Sequence, residues 1–494
     1  MNAAHLPPGI DPDALNLLAR ESLPQAWACH FANTPDRPAI GAAPMGEWLT
    51  YRQLEARSRA VAARLASAGL RAGDRVLLSA AASIDLVVAY VAAQRLGLIV
   101  VPVNSAYTKR EVDHILTDAR PSGAIVDNPE RAMWMRGAGM VCGPEVDLPT
   151  GPEPPLDHST REDLALIAYT SGTTGPPKGA MLSSGNLLAS AEAVRLAWRW
   201  SIEDRLVLAL PLFHLHGLGV GLNGTLVSGA SAVLLPKFDL EAVLDAAAKH
   251  RATLFFGVPT MYARLAVSPR VRELERLRLC VSGSAPLSAD LHDTFAERAD
   301  QRIVERYGMT ETVMNVSNPY DGERRPGSVG LPLPGVDLRL ADDGEILLRG
   351  PNIFRGYWER PDATAASFTA DGWFRTGDLG ALDEDGYLRI VGRSKELIIS
   401  GGYNVYPREV EEVLRAHPLV KDVAVAGLPS PEWGEMVGAW IVVDGDLDLE
   451  ELQEFAAARL AGYKRPRVLH VVDELPRNVL GKVLKHRLQA LHQD

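Results

Sequence analysis

The sequence predicts an α/β protein with a large N-terminal domain of parallel sheets covered by helices, a small β-barrel-like unit and a smaller α+β C-terminal domain. Three observations support this prediction. The chain has 494 residues, which is too long for a single hydrophobic core. Short apolar runs alternate with helical segments in the N-terminal half, a pattern typical of parallel sheets. From about residue 327, turn residues separate shorter strands, which indicates an antiparallel unit.

Amphipathic spacing and capping residues define the first elements. An apolar series predicts a helix over residues 13–34. Thr50 is expected to cap a second helix, because its hydroxyl can accept a hydrogen bond from a free N-terminal amide. The runs 76–79 and 98–102 predict buried strands on either side of a helix over 84–96. Strand and helix therefore alternate, as expected for a parallel sheet.

The stretch Tyr169–Gly179 is a loop suited to a triphosphate. It follows the apolar run 164–168, so that small hydroxyl residues leave a strand and enter a loop. Its glycines let the backbone approach a ligand closely, its hydroxyls can donate, and Lys178 adds a compact positive charge. It is not a Walker A loop, because Pro177 and Gly179 stand where that motif has Gly and Ser or Thr. A flexible surface loop is the alternative interpretation.

Two histidines follow a predicted strand over residues 206–211. His214 and His216 can serve as metal ligands, as a base or as part of a pocket wall. No third metal ligand lies near them in the sequence, so metal binding is the weakest of these interpretations. Packing against apolar neighbours is the more frequent role of such histidines.

Two later segments carry residue types suited to a nucleotide. The predicted strand 277–281 leads into the small residues of 282–287, which allow a flat ring to lie against the backbone. Residues 305–312 combine an aromatic ring that can stack on a purine, a threonine hydroxyl and a carboxylate that can bind Mg²⁺. A strand-to-helix turn capped by Ser288 is equally compatible with the first segment.

The β unit and the C-terminal domain complete the chain. Turn signals separate short strands at Pro334-Gly335, Asp343-Gly344, Asp371-Gly372 and Asp385-Gly386. Within this unit Asp378 is either a turn residue or an acceptor for ribose hydroxyls. Beyond a boundary at residues 392–396, helices and strands are predicted over 408–416, 423–426, 437–443, 449–459 and 468–472.

Composition narrows the class of protein. The formal net charge is -11 and no long basic run occurs, which argues against nucleic acid as the main partner. Cys29, Cys142 and Cys280 are widely separated, which fits a reducing compartment. The first residues lack the features of a signal peptide and no apolar run reaches membrane-spanning length. We therefore expect a cytoplasmic protein without an integral membrane segment, either a monomer or a homodimer.

Five motifs, in this order, resemble those of the adenylate-forming superfamily, which includes the acyl-CoA synthetases. They are Tyr169–Gly179, Pro211–His214, Glu305–Thr312, Trp373–Asp378 and Pro476–Lys482. The resemblance covers essentially the whole chain. It implies an N-terminal AMP-binding domain over residues 1–393 with its β unit at about 327–392, a hinge at 394–395 and a mobile C-terminal domain over 396–494.

The resemblance also implies which residues contact ATP and CoA. The phosphates of ATP are expected to contact the first motif at Thr170, Ser171, Gly172, Thr173, Thr174, Gly175 and Lys178. The rest of the nucleotide is expected to contact Ser284, Ala285, Pro286, Glu305, Arg306, Tyr307, Gly308, Met309, Asp378 and Arg393. The hinge and the passage for the pantetheine arm of CoA are assigned to Lys395, Gly401 and Gly402.

The implied reaction joins a carboxylic acid to CoA in two steps that consume ATP. The carboxylate attacks the α-phosphorus of ATP to give an acyl-adenylate and pyrophosphate, and a thiol then displaces AMP. The resemblance makes Lys482, Thr310 and Glu311 the catalytic residues, with Glu311 and Thr174 as ligands of Mg²⁺. No nucleophile from the protein is required.

The acid itself is less closely defined than the reaction. Residues 307–322 are most similar to malonyl-CoA synthetases, which implies a malonate-like acid. The implied acid contacts are His214, His216, Ser284 and Met309. Arg264 is a weaker candidate for the cation that receives a second carboxylate. A CoA ligase for fatty or aryl acids and a standalone adenylation protein that loads a carrier protein are the alternatives, whereas luciferase-like oxygenation has no positive support.

Overall fold

The structure, a computed structural model, describes residues 3–44, 46–170, 177–478 and 481–491. Its internal contacts divide the chain into two compact units. The first contains Met1–Leu338 and Leu348–Phe374, and the second contains Arg339–Leu347 and Arg375–Asp494. The hinge at residues 394–395 concerns a movement between conformations and stays a prediction.

The first unit is built around two sheets. Its strands are β1 (Pro38–Ala42), β2 (Glu47–Thr50), β3 (Arg75–Ser79), β4 (Ile99–Pro102), β5 (Gly123–Val126), β6 (Met140–Cys142), β7 (Leu164–Thr170), β8 (Lys178–Ser183), β9 (Arg205–Leu208), β10 (Ser231–Leu234), β11 (Leu254–Gly257), β12 (Leu279–Ser282), β13 (Ile303–Tyr307), β14 (Val316–Ser317) and β15 (Leu331–Pro332). A nine-stranded sheet has the order β15-β14-β13-β12-β11-β9-β10-β1-β2, and its strands from β13 to β1 are parallel. A six-stranded sheet has the order β6-β5-β3-β4-β7-β8, and its last pair is antiparallel.

Helices lie between these strands in the chain, so strand and helix alternate as predicted. They are α1 (Leu23–Asn33), α2 (Tyr51–Ser67), α3 (Ile84–Arg95), α4 (Lys109–Ala119), α5 (Pro129–Trp134), α6 (Ser184–Ala197), α7 (Asn223–Ser228), α8 (Leu240–Lys249), α9 (Pro259–Ala266), α10 (Ala289–Ala299) and α11 (Pro361–Ala366). A π-helical segment, His216–Leu222, leads into α7. None of the helices in the described ranges is long and apolar enough to cross a membrane.

Capping side chains set the beginnings of two helices where the sequence predicts them. The Thr50 hydroxyl accepts a hydrogen bond from the Gln53 amide, and the Gln53 side chain accepts one from the Thr50 amide. This reciprocal pair satisfies two amides that the helix itself cannot, so α2 begins at Tyr51. Ser288 caps α10 as predicted, because its hydroxyl accepts a hydrogen bond from the Leu291 amide.

The first predicted helix is wrong in its N-terminal part. A helix was expected over residues 13–34, but α1 begins at Leu23. Glu21 has a positive φ of 59°, which interrupts any regular helix that precedes it. Ser22 then caps α1 by accepting a hydrogen bond from the Gln25 amide. The apolar spacing therefore continues across a turn that the sequence pattern does not reveal.

A hydrophobic core between the nine-stranded sheet and α8–α10 fixes the strands that carry the site. Phe255, Tyr262 and Phe295 are fully buried within it. Their rings pack edge to face, with centroids 5.6 and 5.1 Å apart. Burial of each such ring contributes about 2–3 kcal/mol. The carboxyl ends of β11 and β12 are consequently held at fixed positions along one edge of the sheet.

Antiparallel strands dominate the second unit. The remaining strands are β16 (Asp337–Leu340), β17 (Glu345–Arg349), β18 (Phe374–Leu382), β19 (Leu388–Arg393), β20 (Ile398–Ser400), β21 (Tyr403–Val405), β22 (Val420–Ser430), β23 (Gly434–Val443) and β24 (Val468–Val471). The remaining helices are α12 (Pro407–Arg415), α13 (Leu449–Ala457) and α14 (Lys485–Leu491). One sheet has the order β16-β17-β18-β19, and another has the order β21-β20-β23-β22 with β24 beside β23.

The predicted turn residues of the β unit adopt the backbone that the prediction requires. Each of the four turn glycines has a φ of 82° or 83°: Gly335, Gly344, Gly372 and Gly386. Residues with side chains rarely adopt this conformation, so the turns depend on glycine. The predicted fold class, a parallel α/β domain followed by a β unit and an α+β domain, is confirmed.

Candidate active site

Several predicted site residues lie at one edge of the nine-stranded sheet. β12 ends at Ser282 and β13 ends at Tyr307, and these strands are parallel neighbours. His214 and His216 follow β9, which belongs to the same parallel set. Parallel strands end at the same edge, so the loops that follow them meet there. Motifs that are far apart in the sequence are thus brought together by topology.

The predicted phosphate loop is anchored by an antiparallel pair of strands. Thr170 ends β7 and Lys178 begins β8, and the two residues are paired in the register. The Thr170 hydroxyl donates to the Lys178 carbonyl oxygen at 3.4 Å. Five predicted phosphate contacts, of which one is also a predicted Mg²⁺ ligand, lie outside the described residues: Ser171, Gly172, Thr173, Thr174 and Gly175.

An aromatic ring connects the loop lysine with the predicted magnesium ligand. Nζ of Lys178 lies 4.8 Å from the centroid of the Tyr357 ring. The Tyr357 hydroxyl donates a hydrogen bond of 2.8 Å to Oε1 of Glu311. Burial, and after it the charge of Glu311, raise the pKa of Tyr357 above its usual value. The phenol therefore keeps its proton and orients the carboxylate.

The carboxylate of Glu311 fits a Mg²⁺ ion that is carried by a nucleotide. Glu311 is 6% exposed, and its carbonyl oxygen accepts from the Phe354 amide at 2.8 Å, which fixes the turn. Mg²⁺ prefers oxygen ligands and is often held by one or two carboxylates together with substrate phosphates. Within the described ranges, no group of three or more His, Cys, Asp or Glu residues could hold a metal ion by itself. The donors therefore suit an ion shared with ATP.

The segment after β13 turns back sharply around a glycine. A Cβ added at Gly308 would lie 2.1 Å from the Val313 carbonyl oxygen, so a larger residue does not fit. The Tyr307 hydroxyl lies 3.8 Å from the sulfur of Met309. Tyr307, Met309 and Thr310 are all partly exposed, which leaves their side chains accessible to a ligand. Their contacts with adenine, the acid and the α-phosphate stay predictions.

The loop after β12 contains a strained serine. Ser284 has a φ of 70°, a left-handed conformation that is uncommon for residues with a side chain and is often found at functional sites. Its hydroxyl lies 3.2 Å from Nδ1 of His216, so the loop and the histidine fix each other. Ala285 and Pro286 are accessible at the surface. The amide that follows Pro286 donates to Oε1 of Glu305 at 3.1 Å, which ties the loop to β13.

His214, His216 and Arg306 form a polar group beside this loop. The His216 amide donates to Nδ1 of His214 at 3.2 Å. The Arg306 guanidinium packs over Gly283, where an added Cβ would lie 2.4 Å from the guanidinium carbon. His216 is 2% exposed and Arg306 is 5% exposed. A glycine at position 283 thus makes room for a buried arginine.

Burial and a neighbouring positive charge keep both histidines neutral. Burial, and after it the charge of Arg306, lower the pKa of His214 to about 4. The same causes, in the same order, hold the pKa of His216 well below its usual value. Burial lowers the pKa of Arg306 to about 9, so the guanidinium stays charged at neutral pH. Arg306 is therefore the cation of this group, and the histidines are neutral hydrogen-bonding partners.

In the second unit, the predicted ribose acceptor pairs with a predicted nucleotide contact. Asp378 on β18 and Arg393 on β19 are cross-strand partners. Oδ1 of Asp378 lies 3.1 Å from Nε of Arg393, and Asp378 is buried whereas Arg393 is largely exposed. The strand register brings the two motifs together, and their contacts with ATP stay predictions.

Lys482 lies in the same unit, among charged groups. Its amide donates to Oδ1 of Asn478 at 3.0 Å, which orders the local turn. Burial, and after it the charge of Arg393, lower the pKa of Lys482, while Glu396 and Asp378 act in the opposite direction. The predicted catalytic ammonium is consequently partly buried and lies within electrostatic range of the predicted ribose acceptor.

A second lysine in this unit is held by two carboxylates. Nζ of Lys485 lies 3.0 Å from Glu411 and 3.2 Å from Glu396. Burial alone would lower the pKa of Lys485, but Glu411 and then Glu396 raise it above its usual value. Lys485 thus connects the beginning of α14 to α12 and to the segment before β20.

The predicted hinge and CoA residues lie in two tight turns. Lys395 is exposed in the 3₁₀ turn Ser394–Glu396. Gly401 and Gly402 form the two-residue turn between β20 and β21, with φ of 59° and 82°, as tight hairpins require. A Cβ added at Gly401 would lie 2.7 Å from the Trp433 ring. Their roles in hinge motion and CoA binding stay predictions.

Three residues refine the sequence-based site. Tyr357 and Lys485 lie outside the recognised motifs, and only the tertiary structure places them beside Glu311 and Glu396. The hydrogen bond from Tyr357 to Glu311 spans 46 residues of sequence, so no local pattern reveals it. Arg264 is the weaker candidate for an acid-binding cation. It is exposed on α9, and its guanidinium lies 5.0 Å from the centroid of the Phe238 ring.

Comparison with known proteins gives the family. The AMP-binding enzyme family matches residues 27–358, and the AMP-binding enzyme C-terminal domain matches residues 409–482. Feruloyl-CoA synthase from Amycolatopsis sp is 39% identical over 464 residues, which cover 89% of this chain and 93% of that protein. The similarity thus extends over both family regions.

Solved structures agree with this assignment. ATP-bound MatB from Rhodopseudomonas palustris superposes with a TM-score of 0.90 at 40% identity, covering 96% of this chain and 99% of that one. A malonyl-CoA ligase in a ternary product complex with methylmalonyl-CoA and AMP has a TM-score of 0.68 at 44% identity, covering 90% of this chain and 98% of that one.

The chain belongs to the AMP-binding enzyme family, the adenylate-forming superfamily that its five motifs resemble. It is an AMP-forming acyl-CoA synthetase, an acid–CoA ligase that works through an acyl-adenylate and uses ATP, a carboxylic acid and CoA. The predictions of superfamily and enzyme class are confirmed.

Proposed function

We propose that the chain is a malonyl-CoA or methylmalonyl-CoA synthetase. The polar character of the group around Ser284 carries this proposal, because His214, His216 and the buried cation Arg306 lie there in place of an apolar wall. A short acid with a second carboxylate suits such a group, whereas a hydrocarbon chain would leave a buried charge without a partner. Similarity to MatB and to the malonyl-CoA ligase supports the same choice.

A CoA ligase for aryl acids is the second candidate function. The similarity to feruloyl-CoA synthase favours it, because the identity of 39% is close to the 44% found for the malonyl-CoA ligase. An aryl ring gains most of its binding free energy from apolar surface. The polar side chains of His214, His216 and Arg306 provide little such surface, so we rank this candidate below the first.

In the proposed first half-reaction, an oxygen of the substrate carboxylate attacks the α-phosphorus of ATP, and pyrophosphate leaves. Negative charge spreads over the phosphate oxygens in the transition state, so positioned cations and donors are the main catalytic means. We assign this role to Lys482 at the carboxylate and α-phosphate, to Thr310 at the α-phosphate and to Lys178 at the outer phosphates. Tyr307 would stack on adenine, and Asp378 would accept the ribose hydroxyls.

Magnesium would neutralise part of the phosphate charge when it is bound with ATP. Glu311 is the described residue that would hold the ion, and Tyr357 keeps the Glu311 carboxylate in one orientation through its 2.8 Å hydrogen bond. Thr174 is the other proposed ligand.

In the proposed second half-reaction, the thiol of CoA attacks the acyl carbon and AMP leaves. Lys482 is not needed for this step, because AMP is already a good leaving group. We propose that the domain over 396–494 turns about Lys395, which withdraws Lys482 and lets CoA approach along Gly401 and Gly402. The domain division at 393–396 is part of this proposal.

Pyrophosphate release tests the proposed function. The full chain is supplied with ATP, Mg²⁺ and one of four acids, malonate, methylmalonate, octanoate or benzoate, with and without CoA. Malonate or methylmalonate is expected to give the highest kcat/KM, and CoA is expected to convert the adenylate to a thioester. A preference for octanoate or benzoate would contradict the proposal. Adenylate that accumulates without reacting with CoA would favour loading of a carrier protein instead.

A further inference from the structure

Helix α4, which lies outside the recognised motifs, contacts both ends of the predicted phosphate loop. His114 and Asp118 lie about one turn apart on this helix, so their side chains share one face. Nε2 of His114 lies 3.0 Å from the carbonyl oxygen of Pro177, near the end of the loop. The hydroxyl of Tyr169, at the beginning of the loop, donates to Oδ2 of Asp118 at 2.7 Å. One face of α4 therefore holds both ends of the loop.

The contact of His114 fixes the peptide that carries the Lys178 amide. A carbonyl oxygen can only accept, so Nε2 of His114 carries the proton and donates. Because a peptide bond is planar, the hydrogen bond that holds the Pro177 carbonyl also sets the direction of the Lys178 N–H. The His114 and Tyr169 rings meet edge to face with centroids 6.2 Å apart, which keeps the imidazole in place.

The chain on the other side of Lys178 is held by Trp358. Its amide donates to the Gly179 carbonyl oxygen at 2.8 Å, and its indole Nε1 donates to the Asp118 carbonyl oxygen at 3.1 Å. A guanidinium nitrogen of Arg360 donates to Oδ1 of Asp118 at 2.7 Å. The Asp118 side chain is only 9% exposed, so this anchor is shielded from water. The backbone before and after Lys178 is thus tied to the same helix.

The position of the His114 contact points to ATP and not to the sheet. Pro177 precedes β8, so the contact adds no hydrogen bond between the strands. Lys178 is exposed, and its long side chain loses conformational freedom when its ammonium contacts a phosphate. A fixed backbone lowers that cost, because fewer conformations remain to be lost.

We propose that His114 is a positioning residue for ATP, which acts through the Pro177 peptide to place the Lys178 ammonium at the outer phosphates. This inference rests on the assignment of Lys178 to those phosphates in the proposed function. It adds a residue that touches neither ATP nor the acid, and whose effect is transmitted by the backbone of the loop.

Substitution of His114 by Phe removes the donor and keeps a ring beside Tyr169. One hydrogen bond corresponds to about a fivefold change in an equilibrium constant, so the KM for ATP is expected to rise about fivefold. The kcat for pyrophosphate release is expected to change by less than about twofold, because the lost contact serves bound ATP and the transition state equally. Thioester formation from supplied acyl-AMP is expected to be unchanged, since acyl-AMP has no outer phosphates.

Two further single variants separate hydrogen bonding from packing. His114→Gln places an amide nitrogen near the position of Nε2, and it is expected to return the KM for ATP close to the wild-type value. Thr117→Ala removes an exposed hydroxyl of the same helix, and it is expected to leave the KM for ATP unchanged.

A double variant tests whether His114 acts through Lys178. Residues that act through one another have non-additive effects. The KM for ATP of the chain with both His114→Phe and Lys178→Met is therefore expected to equal that of Lys178→Met alone. Increases that multiply in the double variant would overturn the inference and leave the assignment of Lys178 intact.

Other results would also overturn the inference. A wild-type KM for ATP in His114→Phe, or a KM that His114→Gln does not restore, would show that the donor has no role in ATP binding. Equal losses with ATP and with supplied acyl-AMP, together with a lowered melting temperature, would make His114 a residue of the fold alone. A wild-type KM in Lys178→Met would remove the assignment of Lys178 and the inference with it. A preference for octanoate or benzoate would overturn the malonate proposal and leave this inference standing.

Discussion

Lys485 in the second unit and Arg306 in the first unit differ in the groups that surround their charge. In the second unit, Nζ of Lys485 lies within 3.2 Å of the carboxylates of Glu411 and Glu396. In the first unit, Arg306 and Lys178 have no carboxylate partner among the described residues, and Lys178 lies over the ring of Tyr357.

This difference separates cations that serve the fold from cations that serve the substrates. A cation matched by carboxylates of its own chain is part of the folded structure, and its removal leaves those carboxylates unpaired. A cation that lacks such a partner keeps its charge available for an anion from outside. Lys482 is intermediate, because it is partly buried and lies within range of both Arg393 and Glu396.

The largest expected effect comes from Lys482→Ala. Loss of the ammonium removes charge stabilisation from the adenylation transition state, so pyrophosphate release is expected to fall about 10²–10³-fold. Thioester formation from supplied acyl-AMP is expected to survive, because that step does not need the ammonium. Lys421→Ala, which removes an exposed lysine of the same unit, is the control. Equal loss of both half-reactions would contradict the assignment of Lys482 to the adenylation step, and Lys482 would then belong with the cations that serve the fold.

Lys485→Met is expected to show the next largest effect, on stability. It leaves Glu411 and Glu396 without their shared cation, and the expected cost is about 3 kcal/mol in the free energy of unfolding. Arg306→Met, by contrast, removes an unmatched charge and is expected to be no less stable than wild type. Urea denaturation of the full chain measures both variants. Adding Glu411→Gln to Lys485→Met should recover part of the lost free energy of unfolding. Similar stabilities for Lys485→Met and Arg306→Met would contradict the difference between the two cations.

Lys178→Met is expected to have a moderate effect on ATP binding. Its ammonium has no carboxylate partner among the described residues, so removal should raise the KM for ATP about tenfold without lowering the melting temperature. Lys178→Arg keeps the charge and serves as the matched control. Added salt should weaken ATP binding more in wild type than in Lys178→Met, because only the former has the charge to screen. A lowered melting temperature with unchanged KM would place Lys178 among the structural cations.

The smallest expected effect is a pH dependence of stability from His214. Its pKa is about 4 in the folded chain and 6.5 in the absence of structure, so the folded state binds fewer protons between these values. The stabilisation is complete above pH 6.5 and is lost as the pH falls towards 4. At pH 6 the loss should be about 1 kcal/mol. Melting temperatures between pH 7 and pH 5 should fall less steeply for His214→Gln, and identical slopes would contradict the prediction.

Contiguous motifs made much of the fold and the site predictable. Thr50 and Gln53 lie three residues apart, so the cap of α2 can be recognised in the sequence alone. The turn glycines can also be recognised in the sequence, because glycine itself permits the positive φ that these turns require. Parallel strands also place the loops after β12 and β13 at one edge, which explains why motifs in order along the chain form one region.

Properties that depend on distant neighbours were not predictable. The burial of Arg306, and the absence of a partner for its Nε and Nη2 among the described residues, follow from the packing of β12 and β13. Its contact with the nucleotide stays a prediction. The contact between Lys485 and Glu396 joins segments whose proximity no local pattern indicates. The helix expected from residue 13 begins later, because apolar spacing does not show the positive φ of Glu21.

The position of Tyr357 has one more consequence. A flexible lysine and an acid close to each other would otherwise form a direct ion pair, and each would neutralise the charge of the other. The neutral ring of Tyr357 contacts both groups. Its face lies against the Lys178 ammonium, and its hydroxyl donates a hydrogen bond to the Glu311 carboxylate. The ammonium thus stays available for a polyanion, and the carboxylate stays available for a divalent ion.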